Sequence, residues 1–183
     1  MKISRVEIFT AHLPIDREIS RFGGKISHLE ELYIKLTGED GVAGWGVARG
    51  NAVHISGETL AGMEYVFKEL LAPLVVGKEL RDRAAIVSLV HRTVEGNSGA
   101  KSALDIALHD LAARAAGVPL YLWFGGKRLP DVRGSACISF CSPGEAAERA
   151  REYTGQGFAN LMIRAGGDPF GKDLERVKAV RDA

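Results

Sequence analysis

The sequence predicts an α+β fold over residues 1–125, a three-stranded antiparallel meander packed on a helical bundle, followed by a β-α-β-α segment over residues 126–183. Three observations carry this reading. The first 48 residues hold three runs of alternating apolar and polar side chains, the period of a half-buried strand. Apolar residues then recur at helical spacing up to Gly117. After Gly125-Gly126, short apolar runs alternate with helical stripes, an order that needs a parallel sheet.

Ile3, Val6, Ile8 and Thr10 open the first strand, and Pro14 is expected to end it. Residues 15–30 are polar around Gly23-Gly24 and predict a long mobile loop. Leu32, Ile34 and Leu36 mark a second strand, Glu39-Asp40-Gly41 a hairpin turn, and Val42 to Ala48 a third strand with Trp45 between two glycines. Residues 49–57 read as another loop. Glu58-Thr59 then starts a helix whose one face carries Leu60, Met63, Phe67, Leu70, Leu71 and Leu74, bracketed by Pro73 and Gly77. A second helix over about 80–94 buries Ile86, Leu89, Val90 and Val94, and Gly96-Asn97 breaks it. The third helix carries Ala100, Ala103, Leu104, Ala107, Leu108 and Leu111 in one stripe; its small residues predict close approach to a neighbour and a central position. Gly117 and Pro119 close it.

Beyond Gly126, Val132, Ser135, Cys137, Ile138 and Phe140 indicate a strand, and Ser142-Pro143 with Glu145 a helix start. Ala146, Ala147, Ala150 and Tyr153 fill that helix, which Gly155 and Gly157 end. Leu161 to Arg164 form a short strand, and Gly166-Gly167-Asp168-Pro169 turns the chain into a last helix with Leu174, Val177 and Val180 facing inward.

Composition excludes several function classes. Hydrophobic residues make up 46% and charged residues 26%, and the net charge is +1, with basic residues scattered. That balance argues against nucleic acid or an anionic membrane as partner. No apolar run approaches the ~20 residues of a membrane span, and residues 1–14 have no apolar signal-peptide core. Cys137 and Cys141, four apart on a strand, would sit about 13 Å from each other, too far for a disulfide. Reduced thiols suit a cytoplasmic protein.

Several stretches, in the same order, resemble the mandelate racemase/muconate lactonizing branch of the enolase superfamily. They are SGETL at 56–60, the Gly-Trp-Gly around Trp45, AKSALDIALHDL at 100–111 running into GVPLYLWFGG at 117–126, and EYTGQGFANLMIRAGGDP at 152–169. The resemblance implies that residues 1–125 are a capping domain and residues 126–183 the first two β-α units of a TIM-type barrel. It also implies Mg²⁺-dependent removal of a proton α to a carboxylate, leading to racemisation, dehydration or cycloisomerisation. The family's metal ligands lie on later barrel strands, so no cofactor is expected to be held by this chain. A full barrel needs about 200–250 residues, and 53 residues follow Pro130. The expectation is therefore a shortened member, inactive alone. The alternatives are one half of a split enzyme, or a non-catalytic binding or assembly module. A homo-oligomer or a barrel-bearing partner would cover its open strand edges, and a small carboxylate would bind only in a completed barrel.

The family usually places Lys-x-Lys on the second barrel strand, the second lysine acting as base. The matching positions here are Met162 and Arg164. A guanidinium stays protonated, so Arg164 is a poor base, yet it is well made to hold a carboxylate. The plainer reading pairs it with a local acid such as Asp168. The loop at 18–24, with Phe22 and Gly23, matches the family's specificity loop, and His54 lies in a second capping loop; the resemblance implies that these residues touch substrate in a completed barrel, while the plainer readings are a disordered loop at 18–24 and a solvent-exposed His54. His109, Asp105 and Asp110 read as ordinary pairing on the flank of the central helix. His12 and His28 carry no partner pattern, and neither Ser139 nor Ser142 has a His-Asp context for nucleophilic chemistry.

Overall fold

The computed structural model describes residues 1–21, 24–51, 53–127, 132–167 and 169–183. Three strands, β1 (Ile3–Arg21), β2 (Gly24–Gly38) and β3 (Ala43–Arg49), form a sheet in the order β1-β2-β3. Helices follow: α1 (Val53–Ser56), α2 (Leu60–Tyr65), a π segment (Val66–Leu71), α3 (Ala72–Val75), a 3₁₀ turn (Leu80–Asp82), α4 (Arg83–Thr93), α5 (Ser98–Ala115) and α6 (Leu120–Trp123). Then come β4 (Ser135–Ile138), α7 (Pro143–Gly155), β5 (Asn160–Ile163) and α8 (Phe170–Arg181). Among the described residues no helix is long and apolar enough to cross a membrane.

The chain divides into two compact units, one of residues 1–14 and 28–128, the other of residues 15–27 and 129–183. In the first, β2 pairs antiparallel with β3 from Glu31↔Arg49 to Thr37↔Ala43. This register puts Leu32, Ile34 and Leu36 on the core face, all fully buried. On β3 the core face is Gly44, Gly46 and Ala48, with Trp45 and Val47 on the other side. Those small residues admit α5. A Cβ at Gly46 would fall on the carbonyl oxygen of Ala103, and one at Gly44 would overlap the backbone of Leu111. The Ala100, Ala103 and Ala107 stripe meets them from the helix side, with Leu104, Leu108 and Leu111 filling the core beside it. Asp110 adds a polar tie, accepting the backbone N–H of Trp45 at 2.8 Å. Glu58 anchors the other end of α5. Its buried carboxylate accepts the Gly99 N–H at 2.9 and 3.1 Å and the Ser98 hydroxyl at 3.1 Å, where the helix dipole favours negative charge.

Three expectations are corrected here. Pro14 does not end β1, which runs on to Arg21, and most of the polar stretch expected to be a loop is extended strand on both sides of residues 22–23. β1 lies at the sheet edge with one neighbour, so a missing amide donor is tolerated there. Residues 53–56, expected in a loop, form the short helix α1. The helix after Thr59 is interrupted by the π segment, in which the Ala72 N–H donates to the Phe67 carbonyl five residues back. The widened turn keeps Met63, Phe67, Leu71 and Val75 buried but swings Leu70 outward. Pro73, which lacks a donor, follows directly, and a π turn is one way to absorb such an interruption.

In the second unit β4 and β5 are parallel, registered from Ser135↔Asn160 to Ile138↔Ile163. α7 starts with a capping box: Glu145 N–H donates to Ser142 Oγ, and the Glu145 carboxylate accepts the Ser142 N–H at 2.9 Å. Bonding to Ser142 holds the Glu145 carboxyl below the ordinary carboxylate range. Ile138, Ala146 and Ala150 form the small core, with Leu161, Tyr153 and Val180 against it. The expected inward face of α8 is also corrected: Leu174 and Val177 are exposed, whereas Asp173 and Arg176 are buried beside the half-buried Val180.

Because the α5–β3 contact has no slack, Gly46→Ala is expected to lower stability by about 3 kcal/mol or more through overpacking. Urea unfolding followed by circular dichroism checks this; a loss under about 1 kcal/mol, the low end for overpacking, would show the contact to be looser than described.

Candidate functional site

In a β-α-β unit both strands run the same way, so their carboxyl ends lie together, which is where open parallel sheets and barrels bind ligands. Here those ends carry Ser139 after β4 and Arg164 after β5. Arg164 extends the ladder by one step, its backbone N–H donating to the Ile138 carbonyl at 3.0 Å.

Arg164 is half-buried and lines a cavity of about 500 Å³ within the second unit. Ser139, Arg149, Glu152, Tyr153 and Asp16 share the lining. The Arg164 Nε is buried and has no hydrogen-bond partner among the described residues. A guanidinium carries five donors in a fixed fork and no acceptor, so the Arg164 head group beside the cavity has the chemistry to hold a planar anion through paired N–H bonds. Two arginines against one glutamate and one aspartate make a mixed cavity wall, suited to orienting a carboxylate that also carries donors of its own.

Arg164 is held in place by a neighbour that sequence reasoning did not single out. Arg176, 2% exposed, donates from Nε to the Cys141 carbonyl at 2.8 Å and from a terminal nitrogen to the Arg164 carbonyl at 3.1 Å. The same terminal nitrogen meets Asp173 Oδ1 at 2.7 Å, while Asp173 Oδ2 accepts the Gly166 N–H at 2.6 Å. One guanidinium thus ties α8 to the segments that follow β4 and β5. This explains the corrected face of α8: the buried carbonyls past the strands need a donor, and a charged pair supplies it. The available signal was an Asp-x-x-Arg spacing, which is common on solvated helices and gives no hint of burial. Beside this latch, burial pushes the Cys141 thiol up from its ordinary pKa.

The other sequence-derived candidates lie elsewhere. His54 is exposed on α1 in the first unit. Phe22, Gly23 and Asp168 lie outside the described residues. His109 accepts the Trp123 indole N–H at 3.1 Å and lies 3.7 Å from Asp105, and Asp110 binds Arg114 at 2.8 Å. Met162 is exposed and has no proton chemistry. The residues at the strand ends do not fit the Mg²⁺ implied by the resemblance. Magnesium requires oxygen ligands, commonly carboxylates; the strand-end positions themselves present Ser139 and Arg164, Asp173 is committed to Arg176 and Gly166, and the Glu152 and Asp16 carboxylates share the cavity wall with the cations Arg149 and Arg164.

Comparison with known proteins agrees with the fold of the chain. The family described as mandelate racemase / muconate lactonizing enzyme, N-terminal domain, matches residues 15–125. The L-Ala-D/L-Glu epimerase of Bacillus subtilis is 32% identical over 181 residues, a match that covers 99% of this chain and 49% of that protein. The N-succinyl-L-Arg/Lys racemase of Bacillus cereus is 24% identical, with 100% of this chain and 49% of that one covered. A substrate-liganded structure of the Bacillus subtilis epimerase superimposes with a TM-score of 0.94 at 31% identity, over 100% of this chain and 50% of that one. The dipeptide epimerase of Enterococcus faecalis, solved with Mg and L-Leu-L-Tyr, gives 0.92 at 27% identity, over 100% and 50%. The chain thus spans about half the length of the curated relatives it matches.

Removing the latch tests its role. Arg176→Ala should destabilise the second unit by about 3–5 kcal/mol, the cost of leaving a buried Asp173 unpaired. Amide exchange around residues 138–141 and 163–166 should rise selectively. Unchanged protection there would refute the assignment.

Proposed function

From a chain that belongs to the mandelate racemase/muconate lactonizing enzyme family, we propose that these residues supply the cap and the first two barrel units of an epimerase or racemase, without catalysing the reaction by themselves. The substrate class is an amino-acid derivative, such as a dipeptide, whose α-carbon bears a carboxylate. The observation that carries this is Arg164, with its unused Nε, at the carboxyl end of the parallel pair.

Its role is to grip the substrate carboxylate through paired N–H···O bonds and so fix the α-carbon relative to groups that move the proton. It does not take the proton, because a guanidinium remains charged throughout the working pH range. In the complete relatives Mg²⁺ would stabilise the enolate; this chain's contribution is binding and orientation. The two free thiols, Cys137 and Cys141, suit a reducing compartment such as the cytoplasm.

The test uses the untagged chain with L-Ala-L-Glu and MgCl₂ in D₂O. Proton NMR should show no exchange of the α-protons above the protein-free rate. Backbone amide shifts should nevertheless move at residues 139–140 and 164–166 with millimolar dipeptide, and Arg164→Leu should remove the response. Exchange by the chain alone would overturn the inactive reading. Equal shifts in the variant would overturn the role of Arg164.

A second reading, cover by another chain, is favoured by the apolar side chains that α8 leaves outward: Phe170 is 80% exposed, with Leu174 and Val177 exposed beside it. That cover is either a second copy or a separately encoded barrel. Light scattering of the pure chain should show a dimer or larger if copies cover each other; a monomer that stays soluble excludes the copy.

A further inference from the structure

β1 and β2 bring together three side chains that the proposed chemistry does not use. His28 and Glu30 are two apart on β2 and so share one face of the sheet, and His12 meets them from β1. His28 Nε2 lies 3.3 Å from Glu30 Oε1. The His12 and His28 rings stack with centroids 5.6 Å apart and an interplanar angle of 28°. One ligating atom from each residue lies within 4.8 Å of the other two, and among the described residues this is where three His, Cys, Asp or Glu side chains converge so closely.

From this geometry we infer that the β1–β2 ribbon carries a site for a divalent transition ion, of which Zn²⁺ is the type case. The donor set decides the ion. Two imidazole nitrogens and one carboxylate oxygen suit Zn²⁺, Ni²⁺ or Cu²⁺, and are wrong for Mg²⁺. Three protein ligands leave a fourth position for water. Bonds of 2.0–2.1 Å to zinc require donor atoms roughly 3.3 Å apart in a tetrahedron. The His28–Glu30 edge already has that length. His12, the exposed member, is the side chain that swings in to close the other two edges.

The β2 half of the site is braced from behind. Asn51 Nδ2 donates to the His28 carbonyl at 2.8 Å, and the Gly50 N–H donates to the Glu30 carbonyl at 2.7 Å. Half-burial of His28 and Glu30 lowers the local dielectric, while exposure of His12 leaves a path of entry. Bound metal would clasp β1 to β2 at the two positions where the chain enters and leaves residues 15–27. The site is independent of the epimerase reading and does not depend on the role given to Arg164.

The experiment is Zn²⁺ titration of the untagged chain in competition with a chromophoric chelator, repeated with Co²⁺ to read the ligand-field spectrum. One equivalent should bind with micromolar affinity, unaffected by millimolar Mg²⁺. His12→Asn, a change at an exposed position, should weaken binding at least ten-fold, and Glu30→Gln should weaken it as well. His91→Asn should leave it unchanged, and so should Cys137→Ser with Cys141→Ser. Absence of stoichiometric binding, affinity retained in the His12 variant, or affinity lost with the cysteines would each overturn the proposal.

Discussion

The first unit is organised by the contact between α5 and β3, where two polypeptide backbones approach as closely as their atoms allow. Gly44 and Gly46 on the strand face the Ala103–Ala107 stretch and Leu111 of the helix, so no side chain intervenes. Close approach brings Leu104, Leu108 and Leu111 against Leu32, Ile34 and Leu36. It also sets where the helix must begin, and Glu58 secures that point through the Gly99 amide. The glycines on one side and the alanines on the other are one constraint expressed twice in the sequence.

That constraint is why the central part of the fold was legible. The turn at Gly41 and the Ser142–Glu145 capping box are satisfied by residues close in sequence, and the Ala-rich stripe of α5 and the glycines around Trp45 are each readable within a short stretch although they meet each other across the fold. What was not legible depends on neighbours distant along the chain. Pro14 reads as a strand terminator until β1 is known to be an edge. The π segment cannot be inferred from an apolar stripe that a regular helix would satisfy nearly as well. The outward turn of Leu174 and Val177 follows from the demand of the Cys141 and Arg164 carbonyls for a donor, which periodicity does not encode. His12 and His28 are sixteen positions apart, and only strand pairing makes them partners.

The candidate site shows the same division. Arg164 was accessible from the motif at residues 162–164, because the position is set by the strand it ends. Arg176 was not, although it fixes the backbone on which Arg164 stands. The two arginines have the same chemistry and opposite employment. Arg176 has its Nε and a terminal nitrogen engaged by internal acceptors and is a structural tie; Arg164 keeps a donor unspent beside a cavity. The difference lies in how many acceptors each fork meets.

Pro14 has a consequence for how copies of this chain meet one another. A border strand such as β1 has one flank with no partner strand in the sheet, open to a foreign extended segment except at its start, where Ile3 exchanges backbone hydrogen bonds with Lys78 and Gly77. An imino acid in the middle of that strand supplies no hydrogen and carries a ring, so an incoming ribbon cannot zip along its whole length. The residue that looks like a stop signal in the primary structure is, on a border strand, one that interrupts the donors an added ribbon would need.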